Sequence, residues 1–159
     1  MSVDDLQGRI VLASIRETIH APANEIWPFL SAIGAERILI PGCTRSSILK
    51  GHGKDAVRRV YFGDTFFDEK ILECDSMTYK LKVSLRLNEV VEPNSSPATG
   101  VLAAAQLHPS ESDGTTIITW VSGANTVPYE YKAVLEEQAL GFFCKGQVES
   151  LRRLTTTTK

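Results

Sequence analysis

The residues of this chain best able to do chemistry are three cysteines, three histidines and a few acids beside bases, and their spacing narrows what that chemistry is. Cys43, Cys74 and Cys144 are widely separated and odd in number, so they outline neither a disulfide framework nor a C-x-x-C metal knuckle. Free thiols in a reducing compartment are the simpler reading. His20, His52 and His108 are equally scattered, and with no H-E-x-x-H spacing a structural or catalytic metal is not supported. What remains is acid–base chemistry. Arg58-Arg59 and Asp68-Glu69 flank Gly63-Asp64, a two-residue loop suited to a type II′ hairpin turn. That turn sets Phe62 opposite Thr65, Tyr61 opposite Phe66, Val60 opposite Phe67, Arg59 opposite Asp68 and Arg58 opposite Glu69. Side chains alternate, so Arg58, Val60, Phe67, Glu69 and Ile71 share the apolar face, and Arg59, Asp68 and Lys70 share the other. The solvated pair, Arg59–Asp68, is worth on the order of a few tenths of a kcal/mol. The pair on the apolar face is not expected to serve stability, because desolvating two charges roughly cancels their attraction. It either binds or protonates a ligand at a cavity wall, or closes the end of the sheet half in water.

Glu69 is the leading candidate for a general acid/base or an anchor for the polar end of a ligand. A carboxylate in an apolar cavity has a raised pKa, and Arg58 beside it pulls that value down. Tyr79 heads an apolar strand face; its ring reads as core, and its hydroxyl could donate to a carbonyl oxygen or an enolate. The remaining candidates are weaker. Glu17 is expected at an exposed edge, Tyr61 on the outer face, Tyr129 and Tyr131 at a helix end, and His20 and His108 at the surface. Cys144 reads as an inert buried thiol.

These residues need elements to hold them. Ile10 to His20 reads as a strand, followed by a helix from Pro22 to about Ala32 that Pro28 should kink or break early. Gly34 to Gly42 is a short, partly helical connection. Strands follow over Cys43–Lys50, Val57–Phe62, Thr65–Glu73, Thr78–Leu87, Val101–Leu107 and Thr115–Gly123. Between them, Asn88 to Gly100 carries Pro93, Asn94, Ser95, Ser96 and Pro97 and reads as a mobile loop that could act as a lid. Tyr129 to Leu154 is helical by periodicity, with Leu135, Ala139, Phe142, Phe143, Cys144, Val148 and Leu151 along its apolar stripe. One long helix must then cover a strongly curved antiparallel sheet of about seven strands, an α+β domain. Its inner residues, Val60, Phe62, Phe67, Leu81, Val83, Trp120, Leu135, Ala139, Phe142 and Phe143, are core and candidate pocket lining at once.

Composition fits one globular domain over residues 1–159, with 43% hydrophobic and 23% charged residues. A net charge of −2 and interleaved basic residues argue against nucleic acid. No apolar run reaches membrane-spanning length, and the acidic opening MSVDDLQGRIV is not a signal peptide, so a cytoplasmic location is expected.

Several short runs, in order, resemble the START-like or Bet v 1-like superfamily (SRPBCC), particularly its polyketide cyclase/dehydrase-like branch. Residues 15–27, IRETIHAPANEIW, resemble its strand-then-helix opening. Pro41-Gly42 precedes the second strand and GHGKDAVRR (51–59) leads into the third. EKILECD (69–75) resembles the E-R-L-x-x-x-D strand, and GTTIITW (114–120) the G-T-x-V-x-W strand. The resemblance spans about residues 10–154 and implies a helix-grip fold with a deep cavity between the sheet and the last helix. By position it makes Glu69, Trp120, Val60 and Phe62 cavity residues. It brings no shared catalytic signature, since relatives include hormone receptors, lipid carriers, polyketide cyclases and enzymes of alkaloid synthesis. Phe62-Gly63-Asp64 stands where the plant hormone receptors have a proline-containing gate loop, which argues against that type. The reading favoured is a cofactor-independent cyclase, isomerase or dehydratase with Glu69, Arg58 and Tyr79 as its catalytic groups. The alternative is a non-catalytic carrier or sensor of a small hydrophobic molecule, monomeric or homodimeric.

Overall fold

The computed structural model describes residues 3–86 and 98–155, apart from the side chains of Val3, Asp4, Arg86 and Phe142. Leu87 and nearly all of the expected lid, residues 88–97, therefore lie outside the described residues. Seven strands form one antiparallel sheet: β1 (Ile10–Ile19), β2 (Arg45–Lys50), β3 (Val57–Phe62), β4 (Thr65–Asp75), β5 (Lys80–Arg86), β6 (Val101–Pro109) and β7 (Thr116–Ala124). Their spatial order is β1-β7-β6-β5-β4-β3-β2, so the first strand joins the last and both β1 and β2 are edges. The β3–β4 register matches the expectation at every pair from Phe62–Thr65 to Arg58–Glu69. Gly63 supplies the left-handed first position of the turn at φ 65°, a conformation that costs a glycine nothing.

Helix α1 (Ala23–Leu30) is entered through Pro22, whose missing N–H is harmless at a helix start. It stops two residues earlier than its apolar pattern suggests. Pro28 removes one rung of hydrogen bonding, and the Ser31 hydroxyl and N–H both bond the Trp27 carbonyl, at 2.6 and 2.9 Å, ending the helix there. One short turn, α2 (Glu36–Leu39), occupies the expected partly helical connection.

The inner face of the sheet holds two apolar clusters. One is closed and dense, around Ile71, Leu81, Val83, Ile118, Trp120, Val148 and Leu151. The other, around Leu12, Val60, Phe67, Leu85 and Val101, lies toward the opposite strand ends. A third cluster sits on the outer face, where the helical turn at Val3–Leu6 lays a fully buried Leu6 on Leu102, Ala104 and Val121. Burying that leucine contributes roughly 1.5–3 kcal/mol.

The covering helix is continuous but not uniform. A turn at Tyr129–Tyr131 leads into α3 (Lys132–Glu137), then an eight-residue π-helical stretch (Gln138–Lys145), then α4 (Gly146–Thr155). The Gly146 N–H bonds the Gly141 carbonyl, the i→i+5 link of a π turn. Leu135, Ala139 and Phe143 pack on the second inner cluster, while Cys144, Val148 and Leu151 pack on the closed one. Gly146 permits a close crossing: a Cβ there would lie 2.8 Å from Cγ of Pro41.

Candidate functional site

A cavity of about 460 Å³ lies between the helix and the sheet, within the usual range of small-molecule sites. The π-helical stretch and the turn before it contribute Leu135, Gln138, Ala139 and Phe143. The β3–β4 hairpin contributes Phe62, Thr65 and Phe67, and the sheet floor is Leu85, Val101, Ala103 and Ser122. Leu12 and Ala98 complete the wall. Thr65 and Gln138 are exposed and mark the mouth, whereas Ser122 is buried inside. Phe67 joins the faces together, stacking on Phe62 at 5.6 Å and meeting Phe143 edge-on at 5.5 Å. Among the described residues, no titratable side chain is on this lining.

Of the sequence candidates, Phe62, Phe67, Leu135, Ala139 and Phe143 reach the cavity wall. Val60, Leu81, Val83 and Trp120 are buried on the inner face but pack into the clusters around it instead. The side chain of Phe142 lies outside the described residues. Tyr79 is not at the head of a strand: β5 begins one residue later, and Tyr79 occupies a turn with φ 55°. Its ring meets Trp27 edge-on at 5.9 Å. It sits six residues from Leu85, about 20 Å along the strand, at the end away from the cavity.

Arg58 and Glu69 do pair inside the molecule, both under a tenth exposed, with Arg58 Nε donating to Glu69 Oε2 at 2.5 Å. They are not on the cavity lining. The reason is a third residue that the hairpin register does not reveal. Glu36, 1% exposed on α2, takes the other end of the guanidinium, its Oε1 lying 2.6 Å from Nη1. The same oxygen accepts the Gly34 N–H at 3.1 Å, while Oε2 has no hydrogen-bond partner among the described residues. Two buried carboxylates thus share one cation. Burial pushes the Glu69 carboxyl above the ordinary range, and the attraction of Arg58 offsets this only in part. Burial also disfavours the Arg58 charge, but Glu69 and Glu36 more than restore it. On β4 the inward residues run Phe67, Glu69, Ile71: cavity wall, charge cluster, closed core. The cluster is therefore the partition between the two halves of the interior.

The remaining candidates stand as follows. Arg59 chelates Asp68 through Nε and Nη2 at 2.7 and 3.0 Å on the outer face, over the ring of Phe66. Tyr61 lies on that face beneath Arg45. Glu17 pairs with Arg152 of α4 at 3.2 Å. His20 is exposed, and His108, partly buried, bonds the Thr119 hydroxyl at 3.0 Å. Tyr129 is solvated at the helix start. The thiols are free, and burial pushes all three up, Cys144 to about 12, so none is poised as a nucleophile. Among the described residues no group of three His, Cys, Asp or Glu converges as metal ligands. None of the described helices is long and apolar enough to cross a membrane.

Sequence reasoning missed Leu12, Thr65, Leu85, Ala98, Val101, Ala103, Ser122 and Gln138 on the wall. Leu85 and Ser122 carried a signal, since alternation puts them on the faces of Val83 and Trp120. Leu12 did not: the register of β1 against β7 shifts between Val11 and Ala13, and this bulge breaks the alternation.

No family model matches the chain, and no curated protein matches it in sequence. Solved structures do match in shape. Truncated norcoclaurine synthase from Thalictrum flavum is 17% identical with a TM-score of 0.73, covering 92% of this chain and 94% of that one. The protein XoxI from Bacillus cereus is 14% identical with a TM-score of 0.73, covering 91% and 95%. Ara h 8.0201 is 18% identical with a TM-score of 0.67, covering 91% and 99%. At such identities shape is what is shared, and with its seven curved antiparallel strands, short helices after the first strand and long C-terminal helix, this chain has the Bet v 1-like helix-grip fold.

Proposed function

We propose that the protein binds a small, mostly apolar molecule in the cavity between helix and sheet, and that it acts as a carrier or sensor. The observation that carries this reading is the wall itself: roomy, apolar, and among the described residues without an acid or base on its lining. Native mass spectrometry of the purified protein tests it. A co-purified neutral small molecule, released on unfolding, is the expected result; an empty protein that takes up no apolar probe refutes it.

A second reading, a cofactor-independent cyclase, isomerase or dehydratase, is favoured by the Glu36–Arg58–Glu69 cluster. A carboxyl whose pKa is raised by burial can hold a proton near neutrality, and Glu69 is flanked by cavity residues Phe67 and, across the ladder, Leu85. Norcoclaurine synthase has been solved with dopamine and hydroxybenzaldehyde, so the fold accommodates an enzyme. In an enzyme, Glu69→Gln abolishes turnover and leaves ligand binding within a few-fold. In a carrier, the same change alters neither binding nor any product formed.

A further inference from the structure

Ser122 is an anomaly in the cavity floor. It is 4% exposed, faces the cavity, and its hydroxyl has no hydrogen-bond partner among the described residues. Its ladder partners are Ala103 on β6 and Ala13 on β1, side chains that offer it nothing polar. A hydroxyl buried without a partner is unfavourable, and a ligand atom that pairs with it removes the penalty. The indole N–H of Trp120, two residues away on the same strand face and roughly 7 Å along it, is likewise buried and unpaired. The Ser122 hydroxyl can donate or accept and the indole N–H, just off the lining, only donates, so an acceptor atom is the ligand group that can pair with either. Among the described residues no cation lines the wall, and the nearby guanidinium of Arg58 is committed to two carboxylates. A carboxylate ligand would lose its water without gaining a counter-charge.

We infer that the ligand is neutral, with an apolar body and one acceptor oxygen, a ketone, ester or ether, that receives the hydrogen bond of Ser122 at the inner end of the cavity. This rests on the reading of the cavity as a ligand site. Three probes of one size test it by calorimetric titration: acetylnaphthalene, its isopropenyl analogue of the same shape without oxygen, and naphthoate. Each is titrated into the wild type, Ser122→Ala and Ser122→Cys. The expected result is that the affinity ratio of ketone to hydrocarbon falls about tenfold in Ser122→Ala, with the hydrocarbon itself unchanged, and falls in Ser122→Cys as well. Naphthoate is expected to bind more weakly than both. A ratio unmoved by either substitution, or naphthoate as the tightest probe, overturns the inference alone, since the hydrocarbon still reports a working cavity. Failure of all three probes to bind overturns the cavity reading together with it.

Discussion

Arg58 is the residue on which the interior balances, because it is the single cation between Glu36 and Glu69. Replacing it with methionine leaves two buried carboxylates without a partner. Arg58→Met is expected to lower unfolding stability by about 3–5 kcal/mol near pH 7, as measured by urea denaturation. Glu69 has its own pH signature. Its folded pKa lies above the ordinary 4.5, so the folded protein binds that proton more tightly than the unfolded chain does. The stability it contributes is complete below about 4.5 and is lost as pH rises through the folded value. Glu69→Gln should abolish that decline, so wild-type and variant urea midpoints plotted against pH should differ in slope above about 4.5; parallel curves would refute the assignment. The Arg58–Glu69 half of this cluster was legible in the sequence, since one turn dictates it. Glu36 was not. It lies in the short connection from Gly34 to Gly42, where nothing in the sequence singles it out, and α2 carries it inward to Arg58.

At the scale of elements, the strands and the bounds of the long helix were legible, but the winding of that helix was not. Hairpin chemistry fixes β3 and β4 to the residue, because a two-residue turn leaves one register. The apolar stripe of the last helix, by contrast, is compatible with either α or π winding, and the stretch that widens is the one that faces the cavity. Two glycines on this helix should behave in opposite ways. Gly146→Ala drives a methyl into Pro41 and the Gly141 carbonyl and is expected to cost about 1–3 kcal/mol. Gly141→Ala points its methyl into open space and should stabilise by about 0.5–1 kcal/mol. Thermal melts of the two variants check both signs, and similar shifts for the pair would contradict the crossing geometry.

For the whole molecule, the division of the interior matters more than its size. One half is a closed core that supports the fold, and the other is held open by the mismatch between large aromatics on the hairpin and small residues, Ala103 and Ser122, on the floor. Filling the floor should separate stability from binding. Ala103→Leu is expected to reduce affinity for an apolar probe at least tenfold while leaving the unfolding midpoint level or higher, because the new methyl groups occupy existing space. In the wild type, by contrast, a probe at 100 times its Kd should add about 2.7 kcal/mol of stability. A thermal-shift titration of both proteins reads the two effects together. That a cavity exists followed from the resemblance of the whole chain to helix-grip proteins. Its lining followed only in part: Phe62, Phe67 and Phe143 were expected there, whereas Ala103, Gln138 and other small or polar wall residues leave no hydrophobic pattern to read.

The strand order has a consequence for how this chain is made. β1 finds its partner in β7, about a hundred residues downstream, with Ile10 beside Ala124 and Ile19 beside Thr116. At ribosomal speeds of about 5–20 residues per second, β1 is synthesised roughly 5–20 s before the strand it needs. Until then Leu12, Ile15 and Ile19 have no sheet to join, and the helix that covers them comes later still. Such long-range pairing makes folding slow and leaves the nascent chain with an unpaired apolar strand for chaperones to guard.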